Sequence, residues 1–115
     1  MYKRQQLRER IEKDGLNNIE ILEMDVSSTD SVENALSIVV EKNQRIDVLF
    51  NNAGFMVMGA LEDLTLNEIQ NQINTDLVGP IYLTKNTIPH MHGRRGLIIN
   101  MSSVAGKVGF QLSPT

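Results

Sequence analysis

The chain has 115 residues, 41% hydrophobic and 22% charged, a balance that supports one folded domain and excludes the low-hydrophobicity, high-charge regime of disorder. A formal net charge of -3 offers no basic surplus for nucleic acid, and the absence of cysteine excludes disulfides, thiolate chemistry and cysteine-ligated metal. No apolar run nears the roughly 18 residues of a membrane span and the N-terminus lacks a secretory apolar core, so a cytoplasmic protein without a membrane partner is expected.

The chain opens with a mixed-charge segment. Lys3, Arg4, Arg8, Arg10 and Lys13 are interrupted by Glu9, Glu12 and Asp14, which reads as the solvated face of a helix in preference to a phosphate-binding arm. Leu7 and Ile11, four apart and followed by Gly15, mark the end of that helix. Residues 1–5 are set aside from functional reasoning, on the hypothesis that they are non-native: Met-Tyr-Lys-Arg-Gln is what the end of a sequencing-library adapter encodes when read from a GTG start.

Residues 19–24, IEILEM, are apolar-rich and bounded by Asn17-Asn18 and Asp25-Val26-Ser27-Ser28, which predicts a strand and a turn. Asp30 followed by Glu33 resembles a capping box, and Val32, Ala35, Leu36, Val39 and Val40 share one face of a helix over about 30–43. IDVLF, residues 46–50, is a second predicted strand running into Asn51-Asn52-Ala53-Gly54. Thr65 and Glu68 form another candidate capping box ahead of Ile69, Ile73, Leu77, Ile81 and Ile88, whose spacing predicts a long helix to about residue 91, kinked at Gly79-Pro80. GLIINM, residues 96–101, is the third predicted strand. Continuous apolar strands alternating with helices point to a parallel sheet covered on both faces.

In open α/β sheets ligands bind beyond the carboxyl ends of the strands, which singles out Asp25-Val26, Asn51 to Gly54, and Asn100 to Ser103. Ala53 and Gly54 leave room for backbone to approach a flat ligand, although the tetrapeptide also suits a plain turn. Asp25, taken alone, suits an ordinary strand-ending turn better than a ligand contact. Ser102 and Ser103 are able to bond a substrate oxygen, but no base is assigned beside them. His90 and His92, near Gly93, read as capping or surface residues; Met56 and Met58, in FMVMGAL, read as core or lid packing. No metal-ligand spacing occurs.

Together Asp25-Val26, Asn51-Asn52-Ala53-Gly54, Asn74 in INTDLVGP and Asn100-Met101-Ser102-Ser103-Val104-Ala105-Gly106 resemble the central section of the classical short-chain dehydrogenase/reductase family. The resemblance implies an α/β fold, a partial Rossmann-type doubly wound parallel sheet of three strands alternating with helices, in a single partial dinucleotide-binding domain over residues 1–115. It implies that Asp25 bonds the adenine amino group with Val26 beside the ring, and that Asn52, Ala53 and Gly54 line the cofactor. Ser103 would hold the substrate oxygen and the charge developing on it. Asn74 would hold a helix kink and a water in a proton relay. The cofactor would be NAD or NADP, with no preference legible, and the substrate a small molecule bearing a carbonyl or a secondary alcohol.

The family's acid/base is a tyrosine assisted by a lysine four residues on, and that tyrosine is expected directly after Thr115; the glycine-rich phosphate turn is expected upstream of the chain. Three expectations follow. The chain alone is inactive, the parent enzyme is a homodimer or homotetramer built on the long helix, and the unpaired strand edges leave a loosely packed, association-prone fragment. The rival reading is a non-catalytic short binding or interaction module that retains part of the scaffold.

Overall fold

The computed structural model describes residues 2–54, 59–91, 93, 95–103 and 107; residues 55–58 of FMVMGAL, His92 and residues 104–106 of the serine-containing motif lie outside the described residues. In chain order the elements are helix α1 (Tyr2–Lys13), α2 (Thr29–Asn43), strand β1 (Val48–Asn51), a 3-10 turn (Leu61–Asp63), α3 (Leu66–Ile73), a wide π turn (Asn74–Val78), α4 (Gly79–Thr87), a second 3-10 turn (Ile88–His90) and strand β2 (Leu97–Asn100). β1 and β2 are parallel, with Val48 opposite Leu97 and Asn51 opposite Asn100. Their connection runs through α3 and α4, so the unit is a strand-helix-strand crossover.

Caps set the helix starts. α2 is capped by Ser28, whose Oγ accepts from the Ser31 N–H at 3.2 Å; the predicted cap, Asp30, lies inside the first turn, where its charge suits the helix dipole. α2 ends at Gln44, which takes a left-handed backbone (φ 64°) and donates its N–H to the Val40 carbonyl at 2.7 Å. α3 begins with the predicted capping box: the Glu68 N–H donates to Thr65 Oγ1 at 3.1 Å, and the Thr65 N–H donates to Glu68 Oε1 at 3.1 Å.

The irregularity expected as a kink at Gly79-Pro80 lies one turn earlier. Pro80 has no N–H and its ring crowds the preceding turn, so the helix widens over Asn74–Val78, where the Gly79 N–H reaches the Asn74 carbonyl five residues back. α4 then starts at Gly79, which is buried. A Cβ at this position would lie 2.5 Å from the Val26 carbonyl oxygen, 2.9 Å from the Val26 carbonyl carbon and 2.9 Å from the Asn74 carbonyl oxygen. The start of α4 therefore rests directly on the backbone that precedes α2. Beside this contact Val26, Val32 and Leu83 form the core, flanked by Met24, Leu36, Leu49 and Tyr82.

The sheet departs from expectation. Among the described residues it has two strands, because residues 19–24 pair with neither β1 nor β2. A strand exists through its ladder, and in the doubly wound order this segment is not a neighbour of β1. It is held instead by side chains, with Arg4 to Glu23 at 3.0 Å and Lys42 to Glu20 at 2.5 Å. Val48, Phe50, Leu97 and Ile99, alternate residues of the paired strands, are exposed together. The Cα radius of gyration is 17.1 Å, against about 13 Å for a compact domain of this length. No helix among the described residues is long and apolar enough to cross a membrane.

Helix propensity alone makes Gly79→Ala stabilising by up to about 1 kcal/mol. The contact with Val26 reverses the sign: overpacking there destabilises by about 1–3 kcal/mol, and a lowered urea midpoint for Gly79→Ala measures it.

Candidate active site

The parallel register sets the two loops that leave the strands side by side. Asn51 is the last residue of β1 and is buried, whereas Asn100, opposite it, ends β2. The two N–H bonds of the Asn51 amide are both used: Nδ2 donates to Asn100 Oδ1 at 2.8 Å and to Thr84 Oγ1, on α4, at 3.0 Å. The Met101 N–H donates to the Asn51 carbonyl at 2.9 Å. Three elements are thus tied at the carboxyl edge of the sheet through one satisfied amide, which a buried polar group requires. From this knot Asn52, Ala53 and Gly54 leave on one side and Ser102 and Ser103 on the other, all five exposed.

A cleft of about 350 Å³ opens beside the knot, lined by Asn51, Ala53, Asp76, Leu77, Thr84 and Asn100 with neighbouring apolar residues. Among the described residues Asp76 is its one charged lining residue, and its Oδ1 lies 3.0 Å from where a Cβ of Gly54 would stand. Asn74 stands at the start of the wide turn with its carbonyl bonded to Gly79, and does not line the cleft. The helical side chain that meets the Ala53-Gly54 turn is that of Asp76, two residues on. The resemblance pointed to Asn74 and not to Asp76; both sit within the π turn, whose wider winding sets side-chain directions that regular helical spacing does not give. Asn51, Thr84 and Asn100 were also missed as a cluster; a polar residue ending an apolar strand was the available signal in two of the three.

Asp25 and Val26 lie across the Gly79 contact from the wide turn. Val26 turns its side chain into the core, at 9% exposure, and its carbonyl packs against Gly79. Asp25 is exposed, and its Oδ1 accepts from Ser27 Oγ at 2.6 Å and from the Ser27 N–H at 3.0 Å. These two bonds hold the carboxyl below its ordinary value of 3.8, the hydroxyl contributing most and a small desolvation acting the other way. His90 is half-buried and uses its carbonyl to accept from the Ile46 N–H at 3.3 Å, a structural role. Among the described residues no group of three or more His, Cys, Asp or Glu could hold a metal ion.

The chain matches the profile of the family described as short chain dehydrogenase over residues 2–115. It is 38% identical over 97 residues to a 3-ketodihydrosphingosine reductase of Bacteroides thetaiotaomicron, covering 84% of this chain and 36% of that protein. It is 40% identical over 88 residues to a trans-4-hydroxycyclohexanecarboxylate dehydrogenase of Sinomonas cyclohexanicum, covering 76% of this chain and 34% of that protein. Among solved structures, a short-chain dehydrogenase from Streptomyces avermitilis superposes with a TM-score of 0.80 at 30% identity, covering 90% of this chain and 38% of that one. The protein ElxO with NADP bound superposes with a TM-score of 0.73 at 34% identity, covering 81% and 38%. This chain spans little more than a third of the length of these proteins.

A lowered carboxyl pKa in the folded chain supplies stability that is present above the unfolded value and lost as pH falls through the folded one. In a carboxyl-carbon NMR titration Asp25 is therefore expected to titrate below 3.8, and Ser27→Ala to return it upward.

Proposed function

Because the chain belongs to the short chain dehydrogenase family, we propose that the protein it represents is an oxidoreductase that uses NAD or NADP to interconvert a small carbonyl compound and the secondary alcohol. The observation that carries this reading is the parallel register of β1 and β2, which sets the Asn52 to Gly54 loop beside the Ser102-Ser103 loop at one end of the sheet. A dinucleotide is compatible with these residues: Ala53 and Gly54 form a wall with little side chain, and Asp25 keeps one carboxylate oxygen unbonded among the described residues.

When bound, the nicotinamide supplies or accepts the hydride. The chain's own contribution is orientation and electrostatics. Asp25 would bind the adenine end, with Asn52, Ala53 and Gly54 along the cofactor. Ser103 would donate its hydroxyl proton in a hydrogen bond to the substrate oxygen, where negative charge grows as hydride arrives. Asn74, where the helix widens, would support the helical side of the site.

The proton itself has no donor assigned within these residues. Tyr82 donates to Glu33 Oε1 at 2.5 Å, and the bond to that carboxylate raises its pKa, the opposite of what a base at neutral pH needs. The chain by itself is therefore an orienting half-site without turnover.

Assembly is part of the proposal. Leu66, Ile69 and Ile73, at helical spacing on α3 and 68%, 36% and 48% exposed, suit packing against a second copy in a homodimer or homotetramer.

In an enzyme carrying these residues together with an acid/base, NADH or NADPH oxidation by a panel of ketones is expected, and Ser103→Ala should lower kcat/KM about 10²–10³-fold with the protein still folded. The 115-residue chain alone should oxidise neither cofactor. Unchanged activity in Ser103→Ala would remove the serine from the mechanism, and cofactor binding without turnover in the larger protein would favour a binding module.

A further inference from the structure

The loop before α2 is more tightly determined than a ligand-facing turn needs to be. The Asp25 N–H donates to Ser31 Oγ at 2.8 Å, the Asp25 carbonyl accepts from the Ser28 N–H at 3.0 Å, and Asp25 Oδ1 takes both bonds from Ser27. Backbone and side chain of one exposed residue are thus anchored by three serines. Two polar groups remain unspent among the described residues: the second carboxylate oxygen of Asp25, and the N–H of Val26, whose carbonyl and side chain are committed to Gly79 and the core.

One acceptor and one donor on consecutive residues have a chemical complement. A 6-aminopurine edge presents an amino donor and, beside it, the N1 acceptor. A 6-oxopurine presents the reverse, and its oxygen would face a carboxylate. A site built around a hydrogen bond rejects the analogue that cannot make it, provided the protein partner is held in place.

We infer that Ser27 is the positioning residue of the adenine site: by holding Asp25 through one oxygen, it leaves the other aimed to accept the exocyclic amine of a 6-aminopurine. The inference rests on the dinucleotide reading above and adds to it the residue that sets base selectivity. Ser27 acts through Asp25, is itself exposed, and packs in no core, so its loss affects recognition more than folding.

The test uses the 115-residue chain, titrated with 5′-AMP and 5′-IMP and followed by amide chemical shifts. AMP is expected to bind about tenfold more tightly than IMP. Ser27→Ala should weaken AMP about fivefold, through the freed carboxylate rotamers, and leave IMP unchanged; Ser27→Thr, which keeps the hydroxyl, should restore the preference. Asp25→Asn should abolish it. If Ser27→Ala keeps the full AMP preference while Asp25→Asn loses it, Asp25 reads the base without Ser27 and the inference is overturned. If neither nucleotide binds at millimolar concentration, Asp25 and Val26 form no base site in this chain and the inference is overturned, while the dinucleotide reading is judged separately by cofactor binding to the larger protein.

Discussion

The structure depends on one contact without a side chain. At Gly79 the helical arm meets the carbonyl of Val26 so closely that a single added carbon would overlap it. Because the approach is backbone to backbone, it fixes the spacing between α4 and the loop before α2 with little freedom. Val26, Val32 and Leu83 then close into a core beside it, while Asp25, the residue next to the contact, is left at the surface. The same glycine donates to the Asn74 carbonyl and so ends the wide turn. Pro80, directly after it, has no N–H with which to continue a regular ladder. Packing and helix irregularity therefore share one cause, and the irregularity is what brings Asp76 to the Ala53-Gly54 turn.

A second constraint acts at the sheet. An amide nitrogen buried at the end of β1 must place both of its protons, and the partners it finds, Asn100 and Thr84, belong to β2 and α4. Loss of either partner would leave a buried donor unsatisfied, so the ends of the strands and the arm are coupled. That coupling, together with the parallel register, holds the 52–54 and 101–103 loops next to one another, the arrangement from which an orienting site can be built.

The remaining surface is unusually apolar for so small a chain. One face of the sheet shows Val48, Phe50, Leu97 and Ile99, and the helical arm shows Ile73, Leu77 and Ile81. Two strands cannot bury two faces, and α2 and α4 cover one of them. The elongated dimensions agree with this division between a small, well-packed centre and uncovered flanks.

Much of this was legible in the residues. The capping box at Thr65 and Glu68, the apolar face of α2, the two apolar runs that pair as β1 and β2, and the polar or small residues after them all follow from local chemistry, which spacing along a chain records faithfully. Other features were not. IEILEM has the composition of a strand, yet composition cannot supply a ladder partner, and the segment stays unpaired. Asn74 and Asp76 are two letters apart, and which of them reaches the cleft depends on a helical phase that Pro80 and Gly79 alter through contacts elsewhere in the fold. Ser27 reads as an ordinary turn residue until its bonds to Asp25 are seen. The sequence by itself determined the elements, their order and the chemistry available at the strand ends, because these depend on neighbours a few residues apart. Tertiary structure alone decided which strands pair and which side chain faces the cleft, because each is settled by the approach of groups from separate segments of the chain.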